Sequence, residues 1–580
     1  MAEITQSPTH FDDLSDEIIV QVLHFCRYDE ILRFASTNKR NYNILSNSVG
    51  LKLHVELDAN GLDIIKGSRT EDGNYSRLLN ELVRYRDAWL NLDLEEPTER
   101  TSNQVMSLWE LREGHYVVAF SSTPALGWGP DSMQLTLLDS LETPDVITLP
   151  SVFHEFTPDF EQELVILVKT NPNDTACLEI RICSTTSGLP HPLARNPIFT
   201  VQVGFHIPGP GHQTFTLEVI DNILVARIAD IMNYKYEIMA WDWKSGALLC
   251  RIGSSSGIAD FALLDNAHLA LLSVETDQEG PRSIVFSLYS LSTDWISTGS
   301  DFYASEYICA RPILTFEFPK LDESYKVSSR VIMRSDPIPG RTIYRKSTSF
   351  THSTALTFSI ILSLLPIAAP EEDENSVHLR IFISATSLLP YLLKFANEED
   401  TVVIPWNVWG AQATRWFLCD RQTSYWVYWT SGSRFVAVDE NADSRSGLYD
   451  LSVFDFHPPT VRRYTPRDAQ SYTELRSSLY KERMKEIVRE GRGLTRPHPI
   501  ISLLGADLAP LVTNTIDSDM PTVIGKGFSS PVESRLPYRV VTRPKFVPSC
   551  EDWSIDGDHI IGMNSVPRDF DRLTVYKLRT

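Results

Sequence analysis

The chain has few cysteines, and their spacing matches neither a zinc site nor a disulfide framework. Seven cysteines stand singly among 580 residues, with no Cys-x-x-Cys pair. Disulfide-rich extracellular proteins and zinc modules need clustered or closely spaced cysteines. The pattern therefore predicts reduced thiols in a cytoplasmic or nuclear protein, without a bound metal or other cofactor.

Positive charge is also scarce. The chain has 53 Lys and Arg against 75 Asp and Glu, a formal net charge of −22 at pH 7. Nonspecific binding to DNA or to an anionic membrane needs a basic surface. We therefore expect neither nucleic acid nor a membrane among the partners.

Long hydrophobic runs are missing as well. The most apolar window, 355–369, is shorter than the about 20 residues that span a bilayer, and Ser359, Ser363 and Pro366 interrupt it. Residues 1–16 have neither a basic start nor an apolar run, so we expect no secretory signal there.

Catalytic motifs are absent or incomplete. Gly253 to Gly257 matches Gly-x-Ser-x-Gly, but strand-like runs lie on both sides, whereas a nucleophile elbow lies between a strand and a helix. Gly525-Lys526-Gly527 lacks the rest of a phosphate-binding loop, and no His-Glu-x-x-His is present. The sequence therefore predicts a protein that is not an enzyme.

Three short amphipathic helices are predicted near the N-terminus, within residues 10–55. The first, 14–26, has apolar residues spaced for one helical face, with Ser15 as its N-cap. The second includes Ile31 and Leu32, and the third includes Tyr42. Three helices this short cannot bury all of this apolar surface among themselves, so part of it must face the rest of the chain or another protein.

This stretch resembles an F-box. The residues in register with the family pattern are Leu14, Glu17, Ile18, Ile19, Val22, Leu23, Ile31, Leu32, Lys39, Arg40, Tyr42, Ile44 and Leu45. The chain departs from the pattern at Ser15, where proline is usual, at Ser36-Thr37, and at Leu51 or Leu53, where tryptophan is common. An ordinary N-terminal helical cap that packs on the next domain is the alternative.

Residues 56–100 are predicted to be a linker that contains a connecting helix. Leu78, Leu82 and Trp89 belong to an apolar stripe, and Pro97 ends the segment. From residue 101 to 580 the periodicity changes to short alternating runs such as His115–Phe120, which indicate an all-β domain. A helical insertion is predicted near 467–491, and residues 503–531 are predicted to be a long loop.

Internal repetition indicates a propeller-like arrangement of six to eight blades. The turns Asp221-Asn222 and Asp265-Asn266 lie 44 residues apart, within the range of one blade. A related turn, Asp556-Gly557, precedes the last strands, and pairing between terminal strands would complete the propeller. The segment 237–250, with Trp241-Asp242, resembles part of a WD-repeat blade, although the usual Gly-His dipeptide is missing. The predicted fold class is thus α+β multidomain: F-box, connecting helix, and WD-like β domain.

The order of these parts also resembles F-box proteins common in mushroom-forming fungi. The matching stretches are Arg84 to Trp89, Trp409-Gly410, Arg415-Trp416-Phe417 and Leu536-Pro537-Tyr538-Arg539.

The resemblance implies a substrate-recognition subunit of an SCF-type ubiquitin ligase. It implies that the F-box binds a Skp-type adaptor, and through it a cullin, while the β domain binds a target protein. The residues expected to contact the adaptor are Leu14, Ile18, Ile19, Val22, Leu23, Ile31, Leu32 and Tyr42.

For the target, the sequence offers one hypothesis. Arg535, Arg539 and Arg543 form a local basic group in an acidic chain, and arginine forks bind phosphate. Two other functions stay open. One is a propeller enzyme acting on glycans, which would need carboxylates converging on a central cavity, and the other is a scaffold without ligase activity.

Overall fold

A computed structural model of the chain describes sixteen segments. They are residues 14–65, 74–102, 104–123, 129–140, 145–209, 214–277, 280–291, 296–345, 349–368, 375–395, 398–419, 430–439, 447–463, 477–494, 511–564 and 572–580.

Four helices open the described chain, one more than predicted. They are α1 (Asp16–Leu23), α2 (Tyr28–Thr37), α3 (Lys39–Asn47) and α4 (Val49–Asn60). Their shared core consists of Ile19, Leu23, Ile31, Ile44, Leu51 and Val55. Leu51 and Leu53 lie on α4, which begins at the N-cap Ser48 and ends at Gly61, whose backbone is left-handed (φ 63°). The boundary predicted between residues 55 and 56 therefore falls inside α4.

A short strand and a long helix connect this bundle to the β portion. They are β1 (Asp63–Ile64) and α5 (Tyr75–Asn91). Helix α5 begins where the Asn74 side chain accepts the Arg77 N–H (3.1 Å). Its apolar stripe, which includes Leu82 and Trp89, is buried in a cluster with Val453 and Trp553 of the strands.

Nine sheets are present in the described residues, and seven of them have four or five strands. Sheets 1 to 4 come first in chain order. Sheet 1 contains β3 (Leu108–Arg112), β4 (His115–Phe120), β5 (Ser132–Leu137) and β6 (Asp145–Thr148), after β2 (Thr98–Thr101), which belongs to sheet 7. Sheet 2 contains β7 (Glu155–Asp159), β8 (Leu164–Asn171), β9 (Asp174–Ser184) and β10 (Ile198–Gln202). Sheet 3 contains β11 (Phe215–Ile220), β12 (Ile223–Asp230), β13 (Lys235–Asp242) and β14 (Ala247–Ser254). Sheet 4 contains β15 (Gly257–Leu263), β16 (His268–Asp277), β17 (Gly280–Ser290) and β20 (Leu314–Glu317), while β18 (Ser297–Thr298) and β19 (Asp301–Tyr303) extend sheets 3 and 2.

Sheets 5 to 7 follow, with helices and two small sheets inserted. Sheet 5 contains β21 (Tyr325–Val327), β22 (Ile332–Arg334), β25 (Thr357–Pro366), β26 (Val377–Ser384) and β28 (Thr414–Cys419). Sheet 6 contains β29 (Thr430–Ser431), β30 (Arg434–Asp439), β31 (Leu448–Asp455), β32 (Val512–Ile516) and β35 (Tyr538–Pro548). Sheet 7 contains β36 (Asp552–Asp556), β37 (His559–Asn564), β38 (Arg572–Lys577) and β2. Two small sheets are inserted: β23 (Thr342–Arg345) and β24 (Ser349–Thr351) form one with β1, and β33 (Thr522–Ile524) pairs with β34 (Val532–Ser534) in the other. Strand β27 (Val402–Ile404) extends sheet 4. The inserted helices are α6 (Leu389–Phe395), α7 (Trp406–Ala413), α8 (Pro458–Arg463) and α9 (Ser477–Arg489).

Each of the seven sheets shares a buried apolar cluster with the next one along the chain, and the seventh shares one with the first. Pairs of residues that belong to these clusters, in order, are Val117 and Leu167, Val201 and Trp241, Val225 and Leu271, Phe286 and Phe358, Phe382 and Phe454, Val453 and Trp553, and Val575 and Val118. Strand β2 pairs antiparallel with β38 near the C-terminus. These contacts confirm a mostly β chain with N-terminal helices, and the order of the sheets is propeller-like.

The repeat found in the sequence corresponds to one sheet. Asp221-Asn222 connects β11 to β12, and Asp265-Asn266 lies between β15 and β16, so both turns join the first two strands of a sheet. Asp556-Gly557 occupies the same position in sheet 7. Gly557 has φ 58°, and a Cβ there would lie 2.6 Å from the carbonyl oxygen of Ile343. Both the left-handed backbone and the close contact therefore require glycine at this position. Gly253 to Gly257 lies at the junction of sheets 3 and 4, as predicted for a turn between sheets.

Two stretches that resemble family signatures meet around one buried arginine. Arg415 donates to the carbonyl of Leu536 (2.7 Å), and its guanidinium lies 5.3 Å from the ring centre of Tyr538. Burial lowers the pKa of Arg415 to about 10. These residues therefore connect sheets 5 and 6 and are structural.

Helix α9 lies within the predicted helical insertion near 467–491, part of which (464–476) is outside the described residues. Its Met484 and Val488 pack in the cluster shared by sheets 5 and 6. Among the described residues, none of the helices has the length and apolar character needed to cross a membrane.

The packing of α5 gives a prediction about stability. Leu82 has no exposed surface, so Leu82→Ala would leave a cavity between the helix and the strands. We expect the free energy of unfolding to fall by about 3 kcal/mol, measured by chemical denaturation. The control Asn80→Ala, at an exposed position of the same helix, should leave it nearly unchanged; an equal loss in both variants would contradict the assigned packing.

Candidate functional site

The start of α1 is held by an arginine. Ser15 has the extended backbone of an N-cap, but its side chain makes no capping hydrogen bond. Arg40 of α3 donates to the carbonyl of Leu14 (2.7 Å) and to the carboxylate of Asp16 (2.9 Å). Because Ser15 stands where the F-box pattern has proline, this contact orders a helix start that the sequence leaves less rigid.

Three of the eight residues predicted to contact an adaptor lie in the core of the bundle. Ile19, Leu23 and Ile31 are at most 5% exposed, and they pack on one another and on α4. Leu14 is half-buried against the same core. Side chains in this position hold the helices together, so a direct contact with a partner falls to the other four.

Those four side chains are exposed, together with a fifth that the sequence analysis did not select. The exposed fractions are 46% for Ile18, 48% for Val22, 45% for Leu32, 62% for Tyr42 and 93% for Phe25. Ile18, Val22 and Phe25 follow one another at intervals of four and three residues, which places them along one side of α1 and the turn that follows it. Leu32 lies on α2 and Tyr42 on α3. We call these five exposed side chains together the apolar helical face.

Helix α4 fixes the opposite side of the bundle to the β portion. Its Leu51 and Val55 belong to the core of the bundle, whereas Leu53 belongs to the cluster that α5 shares with the strands. The carbonyl of Ala59, near its end, lies 3.1 Å from the His457 ring.

An ion pair and a cation–π contact hold the two connecting helices in place. The Arg86 guanidinium of α5 pairs with Glu56 of α4 at 2.8 Å. Arg434 of sheet 6 lies 4.7 Å from the ring centre of Trp89. The bundle is thus connected through packed helices, and the apolar helical face is left uncovered by the described part of the chain.

The three arginines proposed to bind phosphate have different surroundings. Arg535 pairs with Glu533 and donates to the carbonyl of Ser518 (2.9 Å). Arg539 is buried and donates to the carbonyl of Leu90 (2.9 Å). These two guanidinium groups therefore make contacts within the chain.

Arg543 lies over the ring of Phe546. It lines a surface depression together with Asp93 and Glu95, where carboxylates would oppose a phosphate. A phosphate site formed by the three arginines stays a prediction, without a shared pocket to support it.

Charged side chains converge where edge strands of neighbouring sheets contact each other. These strands include β3, β7, β11, β15 and β22. The side chains of this charged centre are Glu110, Arg112, Glu113, Glu155, Asp159, Glu218, Arg227, Asp260, Arg334, Asp336, Arg341 and Asp556. Eight carboxyl groups thus face four guanidinium groups.

Two of the four arginines in the charged centre each pair with two carboxylates. Arg112 pairs with Glu110 on the same strand and with Glu218 of sheet 3 (3.3 Å). Arg341 pairs with Glu113 and with Asp159 of sheet 2 (3.2 Å).

One carboxylate of the charged centre lies close to two arginines. Asp260 lies 3.1 Å from Arg334 and 3.6 Å from Arg227. Buried ion pairs of this kind tie several sheets together, and removing one partner leaves an uncompensated charge.

Several of these carboxyl groups keep their protons to unusually high pH, because burial disfavours the charged form. Burial raises the pKa of Glu110 to about 7 and that of Glu155 to about 8. It raises the pKa of Asp336 to about 6, although Arg112 opposes the shift. Burial also raises the pKa of Glu113 and of Asp556. Sequence reasoning missed this cluster, since its members come from strands that are far apart in the chain.

The described residues contain no group of three or more His, Cys, Asp or Glu side chains arranged to hold a metal ion. The carboxylates of the charged centre are instead interleaved with guanidinium groups.

Comparisons with known proteins identify no family. No protein-family profile matches the chain, and no curated protein does. Among solved structures, a member of the DUF4221 family from Bacteroides vulgatus is 10% identical, with 51% of this chain and 84% of that chain covered and a TM-score of 0.24. The β-propeller domain of the trilobed protease from Pyrococcus furiosus is 8% identical, with 62% and 89% covered and a TM-score of 0.23. An exo-β-1,3-galactanase from Phanerochaete chrysosporium is 8% identical, with 83% and 100% covered and a TM-score of 0.20. Similarity this low carries no argument about function.

The raised pKa values predict how stability depends on pH. A carboxyl group whose pKa is higher in the folded than in the unfolded state binds more protons when folded, so stability falls as pH rises through that window. For Glu155 the window runs from an ordinary value of about 4.3 to about 8. Glu155→Gln should therefore raise the free energy of unfolding at pH 8, by up to about 5 kcal/mol, and have a much smaller effect at pH 5.

Denaturant unfolding at both pH values measures this difference. The matched control is Glu96→Gln, at an exposed position, which should show no such dependence. A Glu155→Gln variant that loses stability equally at both pH values would contradict the assigned cause.

Proposed function

We propose that this chain is the substrate-recognition subunit of an SCF-type ubiquitin ligase. Helices α1 to α3 bind a Skp-type adaptor, which connects them to a cullin, and the β portion binds the target protein. The observation that carries the proposal is the apolar helical face, which is exposed on a bundle whose opposite side is packed against the strands.

Single exposed apolar residues are normal on soluble proteins, but five on one small bundle are not typical of a surface that stays in water. Aromatic side chains such as Phe25 and Tyr42 are the type that contributes most to binding when a partner buries them. The composition of the apolar helical face is therefore more typical of a surface that a protein partner covers than of one that stays exposed to solvent.

The proposed function also needs a fixed distance between adaptor and target. A ligase subunit of this kind performs no bond chemistry and acts by placing a target lysine near the activated ubiquitin. The contacts of α4 and α5 with sheet 6 and sheet 7 support such a rigid connection.

For the β portion we propose that the seven sheets are the blades of one WD-like propeller. The order of the shared clusters supports this, as do the pairing of β2 with β38 and the repeat of the first turn in sheets 3 and 4. A propeller offers a broad surface of loops for binding a target, in the cytoplasm or the nucleus.

One observation favours a second candidate, an enzyme acting on glycans. Carboxyl groups converge on the charged centre, as such an enzyme would require, and Glu110 has the raised pKa of a general acid. Against it, Glu110 is buried and paired with Arg112. Sugar release from an oligosaccharide panel, abolished by Glu110→Gln, would favour the enzyme.

The adaptor contact is tested by two substitutions on exposed positions. Ile18→Asp and Val22→Asp each place a charge in the apolar helical face without disturbing the core. Because a buried unpaired charge is costly, we expect each to weaken binding to the purified Skp-type adaptor at least tenfold. Biolayer interferometry with the full chain gives the dissociation constants.

The matched control is Val146→Asp on β6, where valine is 55% exposed. It should bind the adaptor like the unmodified chain. The proposal fails if the unmodified chain does not bind, or if all three variants bind equally. Ubiquitination of co-purified proteins then separates a ligase subunit from a scaffold without ligase activity.

A further inference from the structure

A surface depression of about 490 Å³ lies between sheets 6 and 7, near the C-terminal end of α5. Its volume is within the range of about 300–1,000 Å³ that is typical of ligand sites. Residues between Asp93 and Glu99, which follow α5, line it together with residues of β31, β35 and β38. The proposed adaptor contact does not involve it.

Part of the lining is apolar. The ring centres of Phe546 and Tyr576 lie 5.6 Å apart. Leu448, which is 37% exposed, and its strand partner Pro548 lie in the same depression. This apolar surface suits the aliphatic side chains of an extended peptide segment.

Two hydrogen-bond donors of the lining are unused. Tyr576 is only 2% exposed, but its hydroxyl group makes no hydrogen bond within the described residues and is not sealed from solvent, so it opens onto the depression. The Arg543 guanidinium lies 4.7 Å from the ring centre of Phe546 and likewise makes no hydrogen bond to the described part of the chain. Both groups can donate to a backbone carbonyl of a bound peptide.

Carboxylates outnumber guanidinium groups in the lining, four to two. Two of the carboxylates are neutralised by ion pairs. Asp93 pairs with Arg579 at 3.4 Å, and Glu99 pairs with Arg572 at 2.8 Å. The surplus negative charge therefore lies on the remaining two.

These two are Glu95 and Glu96, which are exposed and have no ion pair with any residue that the structure describes. Helix α5 ends just before them, and its last turn contains no basic residue. The negative end of the helix dipole thus adds to the potential of the two carboxylates. A lysine or arginine side chain is attracted here, whereas an anionic group is repelled.

We propose that this depression binds an extended segment of the target protein that carries basic side chains. A basic side chain lies against Glu95 and Glu96, the backbone accepts hydrogen bonds from Tyr576 and Arg543, and neighbouring aliphatic side chains contact Phe546. Because the segment belongs to the target, this assignment rests on the proposed function.

The test is fluorescence anisotropy on the full chain at pH 7.5, with the labelled peptide Gly-Leu-Arg-Leu-Arg-Leu-Gly as the probe. We expect saturable binding, and at least tenfold weaker binding to the double variant Glu95→Lys, Glu96→Lys, because its charges oppose those of the peptide. The matched control is Glu398→Lys, Glu399→Lys, another pair of adjacent exposed glutamates. It should bind like the unmodified chain.

Tyr576→Phe tests the hydroxyl group, since it keeps the ring and removes only the donor. We expect binding to weaken by about twofold to tenfold, as for the loss of one hydrogen bond. The denaturation midpoint should be unchanged, because the hydroxyl group makes no hydrogen bond within the described chain.

The proposal is overturned if the peptide does not bind, if the two double variants lose binding equally, or if Tyr576→Phe binds as tightly as the unmodified chain. It is also overturned if a peptide with glutamate in place of both arginines binds as tightly, which would indicate an anionic ligand at Arg543. If the Glu95→Lys, Glu96→Lys variant fails to fold, the comparison of the two peptides on the unmodified chain decides. None of these measurements uses the adaptor, so failure of this assignment and failure of the proposed function are measured separately.

Discussion

The arrangement depends on one helix that belongs to two cores. Leu51 and Val55 of α4 complete the bundle, while Leu53 packs with α5 and the strands of sheets 6 and 7. Because both sides of α4 are used in this way, the bundle cannot turn to bury α1 against the β portion. The described part of the chain therefore leaves the exposed apolar residues of α1, α2 and α3 uncovered.

The charged centre follows from a different constraint. Where the edge strands of several sheets come together, polar side chains contact residues of other sheets and have little contact with water. Arginines such as Arg112 and Arg341 neutralise some of the buried carboxylates by pairing with them across sheets. Other carboxyl groups have raised pKa values, which keep them protonated and uncharged.

Much of the local structure was predictable because it depends on neighbours in sequence. The strand His115–Phe120 has the predicted bounds, and the turn at Asp221-Asn222 begins the hairpin that its residues favour. Helix α7 was missed since Gly410 and the preceding Pro405 read as breakers. Strands β32 and β33 were missed because they are short and fall within residues 503–531, which were predicted to be a long loop; β34 follows directly after that stretch and is only three residues long. Phe25 was missed because it is not among the residues in register with the F-box pattern, although it falls within the predicted helix 14–26. The convergence at the charged centre is set by tertiary packing alone.

Hydrogen–deuterium exchange of the full chain with and without the Skp-type adaptor tests the central claim most directly, since it reports which surface a partner covers. The account predicts slower exchange in residues 16–47 on addition of the adaptor, with sheets 1 to 7 unchanged. Protection confined to the sheets, or no protection anywhere at saturating adaptor, would contradict it.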